Sequence, residues 1–124
     1  MHKIILIALA GALGTLARYG LSLAAQRAYG GEFPVGTFAV NMAGSFLFGL
    51  IWSLAEERML ISGQTRAILL TGFMGAFTTF STFMFETGEL MRDGEWAPAA
   101  WNLLGQNGFG LVALFAGFMV GRLI

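Results

Sequence analysis

The chain has 124 residues, 56% of them hydrophobic and only 11% charged, with a formal net charge of zero. Soluble domains carry about 25% charged residues, so a water-soluble fold is excluded. Charge neutrality leaves no basic footprint for nucleic acid, and the lack of cysteine excludes disulfides, thiolate metal sites and a cysteine nucleophile.

Four apolar stretches follow one another: residues 4–26 with the single charge Arg18, then 33–55, 67–85 and 96–121 with none. A bilayer core of ~30 Å is crossed by roughly 20 helical residues, so each stretch predicts a transmembrane helix. The connections are short. Residues 1–124 are therefore predicted to form a single all-α transmembrane domain of four helices. The first stretch runs through Arg18 without a small-residue cleavage motif and reads as a retained span, not a signal peptide. His2, the one histidine, reads as a solvated terminal residue.

In the first span Gly11, Gly14, Thr15 and Arg18 recur at spacings of three and four and share one helix face. Small residues there allow another helix to come close. Arg18 has two readings that spacing leaves open. It is either an arginine snorkelling to the interface, or a fixed charge at the mouth of an anion path or cap on a neighbour's carbonyls. Gly30-Gly31 and Pro34 mark the next turn, with Pro34 suited to a helix start.

The second span sets Thr37, Asn41, Ser45 and Phe48 on one polar stripe of a greasy helix. A carboxamide in hydrocarbon is costly unless hydrogen-bonded. Asn41 is thus either interhelical glue or a pore-lining donor whose NH₂ holds an anion.

The third span contains Gly72-Phe73-Met74-Gly75-Ala76-Phe77-Thr78-Thr79-Phe80-Ser81-Thr82-Phe83. Paired glycines and clustered Ser and Thr weaken a helix. An interrupted helix in lipid survives only where its freed carbonyls meet protein, water or an ion. The stretch predicts a span broken at mid-membrane, where ions are handled. Glu86, Glu89, Arg92 and Asp93 beyond it read as a helix extension emerging into water. Trp96 and Trp101 stand like interface anchors. The fourth span carries a second polar stripe, Asn102, Gln106 and Gly110, and a G-x-x-x-G pair at Gly117 and Gly121.

With four spans the termini share one side. Lys3, Arg58, Arg66 and Arg122 fall there, and Arg27 and Arg92 fall opposite, with Arg18 leaning that way. Orientation follows the Lys/Arg bias, which is weak here. Four small spans also enclose a polar path poorly. Both points predict an oligomer of oppositely inserted copies.

Three motifs in order, Gly11-x-x-Gly14-x-x-x-Arg18-Tyr19, Asn41 within Gly36-Thr37-Phe38-Ala39-Val40-Asn41, and the third-span stretch ending Thr78-Thr79-Phe80-Ser81-Thr82-Phe83, resemble the Fluc (CrcB) fluoride channels over nearly the whole chain. The resemblance implies passive fluoride export by an antiparallel, dual-topology homodimer with two pores, in a bacterial inner membrane. It also implies a structural sodium ion on the two-fold axis, bound by the backbone carbonyls of Gly75 and Thr78. By motif position Asn41 is the pore asparagine, Phe80 and Phe83 are the pore phenylalanines, Ser81 and Thr82 supply hydroxyls, and Arg18 stands in the vestibule. The fourth span departs from the pattern. Members often have a tyrosine and a serine there, and this chain has Asn102 and Gln106, which can still hydrogen-bond along a polar track.

The chemistry suits these implied roles. Fluoride is strongly hydrated, so a pore must replace its water with donors, as an amide and hydroxyls do. The positive edge of a phenyl ring faces an anion without trapping it. The rival reading is a small dual-topology drug/proton antiporter, which needs an intramembrane carboxylate. The first, second and fourth spans have none, and Glu86 is placed at the end of the third. A non-conducting accessory subunit is a further rival. No convergent nucleophile, base or metal cluster predicts an enzyme.

Overall fold

The structure, a computed structural model, describes every residue from Met1 to Ile124. It is all-helical. Helix α1 covers His2–Tyr29, and α2 covers Val35–Trp52 and continues as a π-helical turn, Ser53–Glu57. The third segment is built from pieces: α3 (Gly63–Ala67), a π-helical stretch (Ile68–Met74), α4 (Gly75–Phe77) and α5 (Ser81–Arg92). Helix α6 covers Trp96–Leu123. Four helical spans are long and apolar enough to cross a membrane: His2–Tyr29, Val35–Glu57, Gly63–Arg92 and Trp96–Leu123. Each extends beyond its apolar stretch, because helix continues through flanking charged residues that the hydropathy pattern leaves out. Only 23 of 124 residues are buried, and large apolar side chains stand exposed along all four spans. Such a surface needs an apolar solvent or another protein surface.

The turn between α1 and α2 is set by its own chemistry. Gly30 closes α1 in the left-handed conformation, φ 74°, and its N–H donates to the Gln26 carbonyl. The Gln26 side chain then pins the loop: Nε2 donates to the carbonyls of Gly31 (3.0 Å) and Phe33 (2.9 Å), and Oε1 accepts from the Gly36 N–H (3.0 Å). Pro34 is the N-cap of α2, one position before the helix.

Helices α2 and α6 pack through glycine. A Cβ on Gly117 would collide with the Phe46 carbonyl, and one on Gly49 with the Leu114 carbonyl. Backbone therefore meets backbone, the close approach that small residues permit. The Gly11/Gly14 face of α1 does the same against the third segment, since a Cβ on Gly14 would strike the Phe73 carbonyl. Gly72 is buried against Ile7 and Ala10.

This packing corrects one expectation. The glycines do not break the third segment. Gly75 keeps helical angles, φ −60° and ψ −33°, and Gly72 serves packing. The interruption falls at Thr78–Phe80, between α4 and α5, where Thr78 turns extended at φ −85° and ψ 160°.

Substituting Gly14→Leu should lower thermal stability by about 1–3 kcal/mol, the usual cost of overpacking. Gly20→Ala, where a Cβ meets nothing within 4 Å, should leave it unchanged or slightly raised. Circular dichroism melts in detergent check this, and equal losses in both would contradict the packing.

Candidate functional site: two cavities meeting at an asparagine clamp

The interruption frees polar backbone, and α2 supplies the group that takes it. Asn41 lies one and a half turns into α2, facing Thr79. Its Nδ2 donates to the Thr79 carbonyl at 3.0 Å, and its Oδ1 accepts from the Thr79 N–H at 3.0 Å. One side chain thereby satisfies both backbone polar groups of a non-helical residue, which would otherwise cost about 1–3 kcal/mol each. The second Nδ2 hydrogen goes to Gln106 Oε1 at 2.6 Å. Gln106 Nε2 donates to Asn102 Oδ1 (2.9 Å), Asn102 Nδ2 to Thr87 Oγ1 (2.9 Å), and the Thr87 hydroxyl to the Phe83 carbonyl (2.8 Å). Asn102 is 0% exposed and Gln106 is 6% exposed, so this chain of amides is a buried track between α6 and its neighbours. No buried side-chain polar atom is left without a partner.

Two cavities lie on either side of this clamp. The larger, about 700 Å³, is lined by Arg18, Thr37, Thr79, Thr82 and Glu86 among others. The smaller, about 400 Å³, is lined by Asn41, Ser45, Thr78, Phe80, Phe83 and Gln106, with Phe48 and Asn107 beside them. Thr79 lines both. The peptide held by Asn41 is the wall between two partly polar spaces.

The predicted residues distribute unevenly around that wall. Asn41, Phe80, Phe83 and Gln106 come together on the smaller cavity. The two rings meet edge to face, with centroids 6.0 Å apart and planes at 76°. Phe83 is buried at 5% exposure, whereas Phe80 is 72% exposed. Thr82 faces the larger cavity, and its N–H donates to Thr79 Oγ1 at 3.3 Å. Ser81 is exposed and lines neither cavity described here. Asn102 stands behind Gln106, inside the protein.

Arg18 takes up the capping role that was one of its readings. Its Nε donates to the Ala76 carbonyl at 3.0 Å, capping α4, and it lines the larger cavity. It is the one cation of that lining, which also holds Glu32, Glu86, Glu89, Asp93 and Glu95. Glu86 accepts a hydrogen bond from the Thr37 hydroxyl, and Glu89 pairs with Arg92 at 3.0 Å.

Glu86 was read in the sequence as emerging into water. The structure instead makes it part of the cavity wall, tied to Thr37. No local pattern in the sequence pairs Glu86 with Thr37, which lie 49 positions apart. Thr87, the anchor of the amide track, carried no sequence signal either.

The carbonyls of Gly75 and Thr78 bear on the sodium that the resemblance implies. The Thr79 N–H goes to Asn41, so the Gly75 carbonyl loses its i+4 partner. The Thr82 N–H goes to Thr79 Oγ1, so the Thr78 carbonyl loses its own. Neither carbonyl takes another non-helical backbone bond. Two neutral oxygens released from helical bonding fit the oxygen-donor chemistry of a hard cation. Gly75 is exposed on the surface of the single chain.

The chain is similar throughout its length to known proteins. Residues 5–118 match the family model described as CrcB-like protein, Camphor Resistance (CrcB). A relative from Nitrosococcus oceani, named fluoride-specific ion channel FluC, is 59% identical over 99% of this chain and 98% of its own. Relatives of the same name from Solidesulfovibrio magneticus and Desulforapulum autotrophicum are 55% and 54% identical, covering 100% and 99% of this chain and 99% and 98% of their own lengths. With the model matched from its fifth residue to its 118th and relatives more than half identical from end to end, this four-span membrane protein belongs to the CrcB-like family.

Proposed function

We propose that the protein is a fluoride-selective ion channel that lets fluoride leave the cell passively across a bacterial inner membrane. The observation that carries this reading is the meeting of two cavities at Thr79, with Asn41 bonded to it and two phenylalanine rings beside it. Family membership and the printed name of its relatives support it. An antiporter is set aside on the same grounds.

The path runs from the larger cavity past Arg18 and Thr82, through the Asn41–Thr79 constriction, and along Phe80 and Phe83. Ser81 contributes once a second copy covers the face on which it lies. Arg18 is the cation an anion meets among five carboxylates, and two of those are already engaged, Glu86 by Thr37 and Glu89 by Arg92. At the constriction the amide N–H groups replace water on the ion. The ring edges then favour the anion weakly enough for it to leave.

The functional unit is an antiparallel homodimer with two pores, its third helices interrupted at mid-membrane. The exposed Phe80, open to a partner at 72% exposure, and the weak Lys/Arg asymmetry support this assembly. Sodium at the two-fold axis is structural. The carbonyls of Gly75 and Thr78 hold it, and a second copy doubles the donor set. It fixes the interruption and crosses no membrane.

Fluoride efflux from liposomes containing the purified protein tests the reading, and absent efflux would refute it. Phe83→Ile and Asn41→Asp should each cut efflux by roughly an order of magnitude or more, and Phe83→Ile should leave assembly intact. The first keeps apolar volume but removes the ring edge, and the second replaces a donor by a repelling acceptor. Wild-type efflux in both variants would remove these residues from the path.

Single cysteines introduced near Met1 and Ile124 should each react with impermeant reagent from both faces of sealed vesicles. Reaction from one face only would exclude dual topology. Efflux should also proceed without a sodium gradient, and flux strictly coupled to sodium movement would contradict the structural role.

A further inference from the structure

The hydrogen bonds of Asn41 are fully spoken for. A carboxamide has two N–H donors and one carbonyl. The carbonyl takes the Thr79 N–H, one N–H goes to the Thr79 carbonyl, and the other goes to Gln106 Oε1. An anion that binds Asn41 must displace one of these acceptors. Displacing the Thr79 carbonyl would undo the clamp on the interruption. Displacing Gln106 Oε1 would not.

We propose that Gln106 is the specificity-determining residue of the Asn41 site: its Oε1 holds the anion's place on Asn41 and yields that place only to an anion of oxygen's size. The inference rests on the channel reading above. Gln106 Oε1 lies 2.6 Å from Asn41 Nδ2, so the place on this donor is filled by a single oxygen atom. Fluoride is close in size to a carbonyl oxygen, and chloride is markedly larger.

Gln106 is built to yield without being lost. Its Nε2 is tethered to Asn102 Oδ1 at 2.9 Å, and Asn102 is tethered to Thr87 at 2.9 Å. Thr87 in turn donates to the Phe83 carbonyl, which closes the track onto the first turn of α5. Rotation of the Gln106 amide about its tethered nitrogen withdraws Oε1 and keeps the tether. Nε2 makes no second hydrogen bond within the chain, so its other N–H is free to donate to the arriving ion. Beyond the reciprocal pair with Thr79, the donors point one way, from Asn41 through Gln106 and Asn102 to Thr87. Asn102 and Thr87 are positioning residues: they touch no ion, and they fix which end of the Gln106 amide faces Asn41.

The test compares fluoride and chloride flux in liposomes for wild type, Gln106→Met and Asn102→Leu. Methionine keeps the length and volume of glutamine but neither holds the donor nor offers one. Gln106→Met should raise the chloride-to-fluoride permeability ratio roughly tenfold, on the scale of one charge-assisted hydrogen bond. Asn102→Leu should move the ratio the same way. An unchanged ratio in the folded Gln106→Met variant would overturn the proposal. So would loss of both fluxes with assembly intact, because Gln106 would then be an obligatory ligand.

A second measurement needs no variant. Protein labelled with carbonyl-¹³C glutamine carries three side-chain signals, from Gln26, Gln64 and Gln106. Sodium fluoride should shift one of them saturably and sodium chloride should not. Three unmoved signals at fluoride concentrations that support flux would overturn the proposal. If the wild type conducts no fluoride, the channel reading fails and this inference falls with it. If it conducts while ratio and signals stay put, this inference fails alone.

Discussion

The structure turns on one carboxamide paired with one peptide. Three residues of the third segment leave the helix, and backbone groups that leave a helix need other hydrogen-bond partners. Asn41 answers both groups of Thr79, donating at 3.0 Å and accepting at 3.0 Å. That pairing lets α4 end and α5 restart, and it turns a structural need into a site. It also releases the Gly75 carbonyl from its helical partner. With the Thr82 N–H turned to Thr79 Oγ1, the Thr78 carbonyl is released too. One local solution thus accounts for the interruption, the wall between the cavities and the free oxygens.

The rest of the packing holds Asn41 and Thr79 at that separation. Glycine contacts bring α1 against the π-helical stretch before the interruption, and α2 against α6. Side chains larger than glycine at Gly14 or Gly117 would push these backbones apart. The site then depends on contacts a helical turn or more away from it. Arg18 adds a second support by capping the end of α4 through Ala76. The same arginine lines the larger cavity.

Much of this was legible in the sequence because membrane helices announce themselves by length and apolarity. The four spans, the small-residue face of α1, and the polar stripes of α2 and α6 all follow from composition and period. The point of interruption was not, because glycine serves two ends in a membrane helix. Gly72 and Gly75 looked like breakers, and they stand in helical backbone, with Gly72 buried against α1. The clustered threonines, the other half of that expectation, are where the helix is interrupted, and Asn41 takes the backbone groups of Thr79 there. That partnership spans 38 positions of sequence, beyond the reach of local pattern. Glu86 was misread for a related reason. A charge after an apolar run looks like an exit into water, unless a hydroxyl from another helix meets it, as Thr37 does.

Asn41 holds Thr79 and so keeps the third segment interrupted. Hydrogen exchange of the Thr79 backbone amide, read by NMR on protein in lipid nanodiscs, tests this most directly. The amide should be protected in the wild type. In Asn41→Leu it should exchange at least roughly ten times faster, the loss expected when one buried hydrogen bond is removed. Equal protection in both proteins would contradict the claim, because some group other than Asn41 would then be holding the interruption.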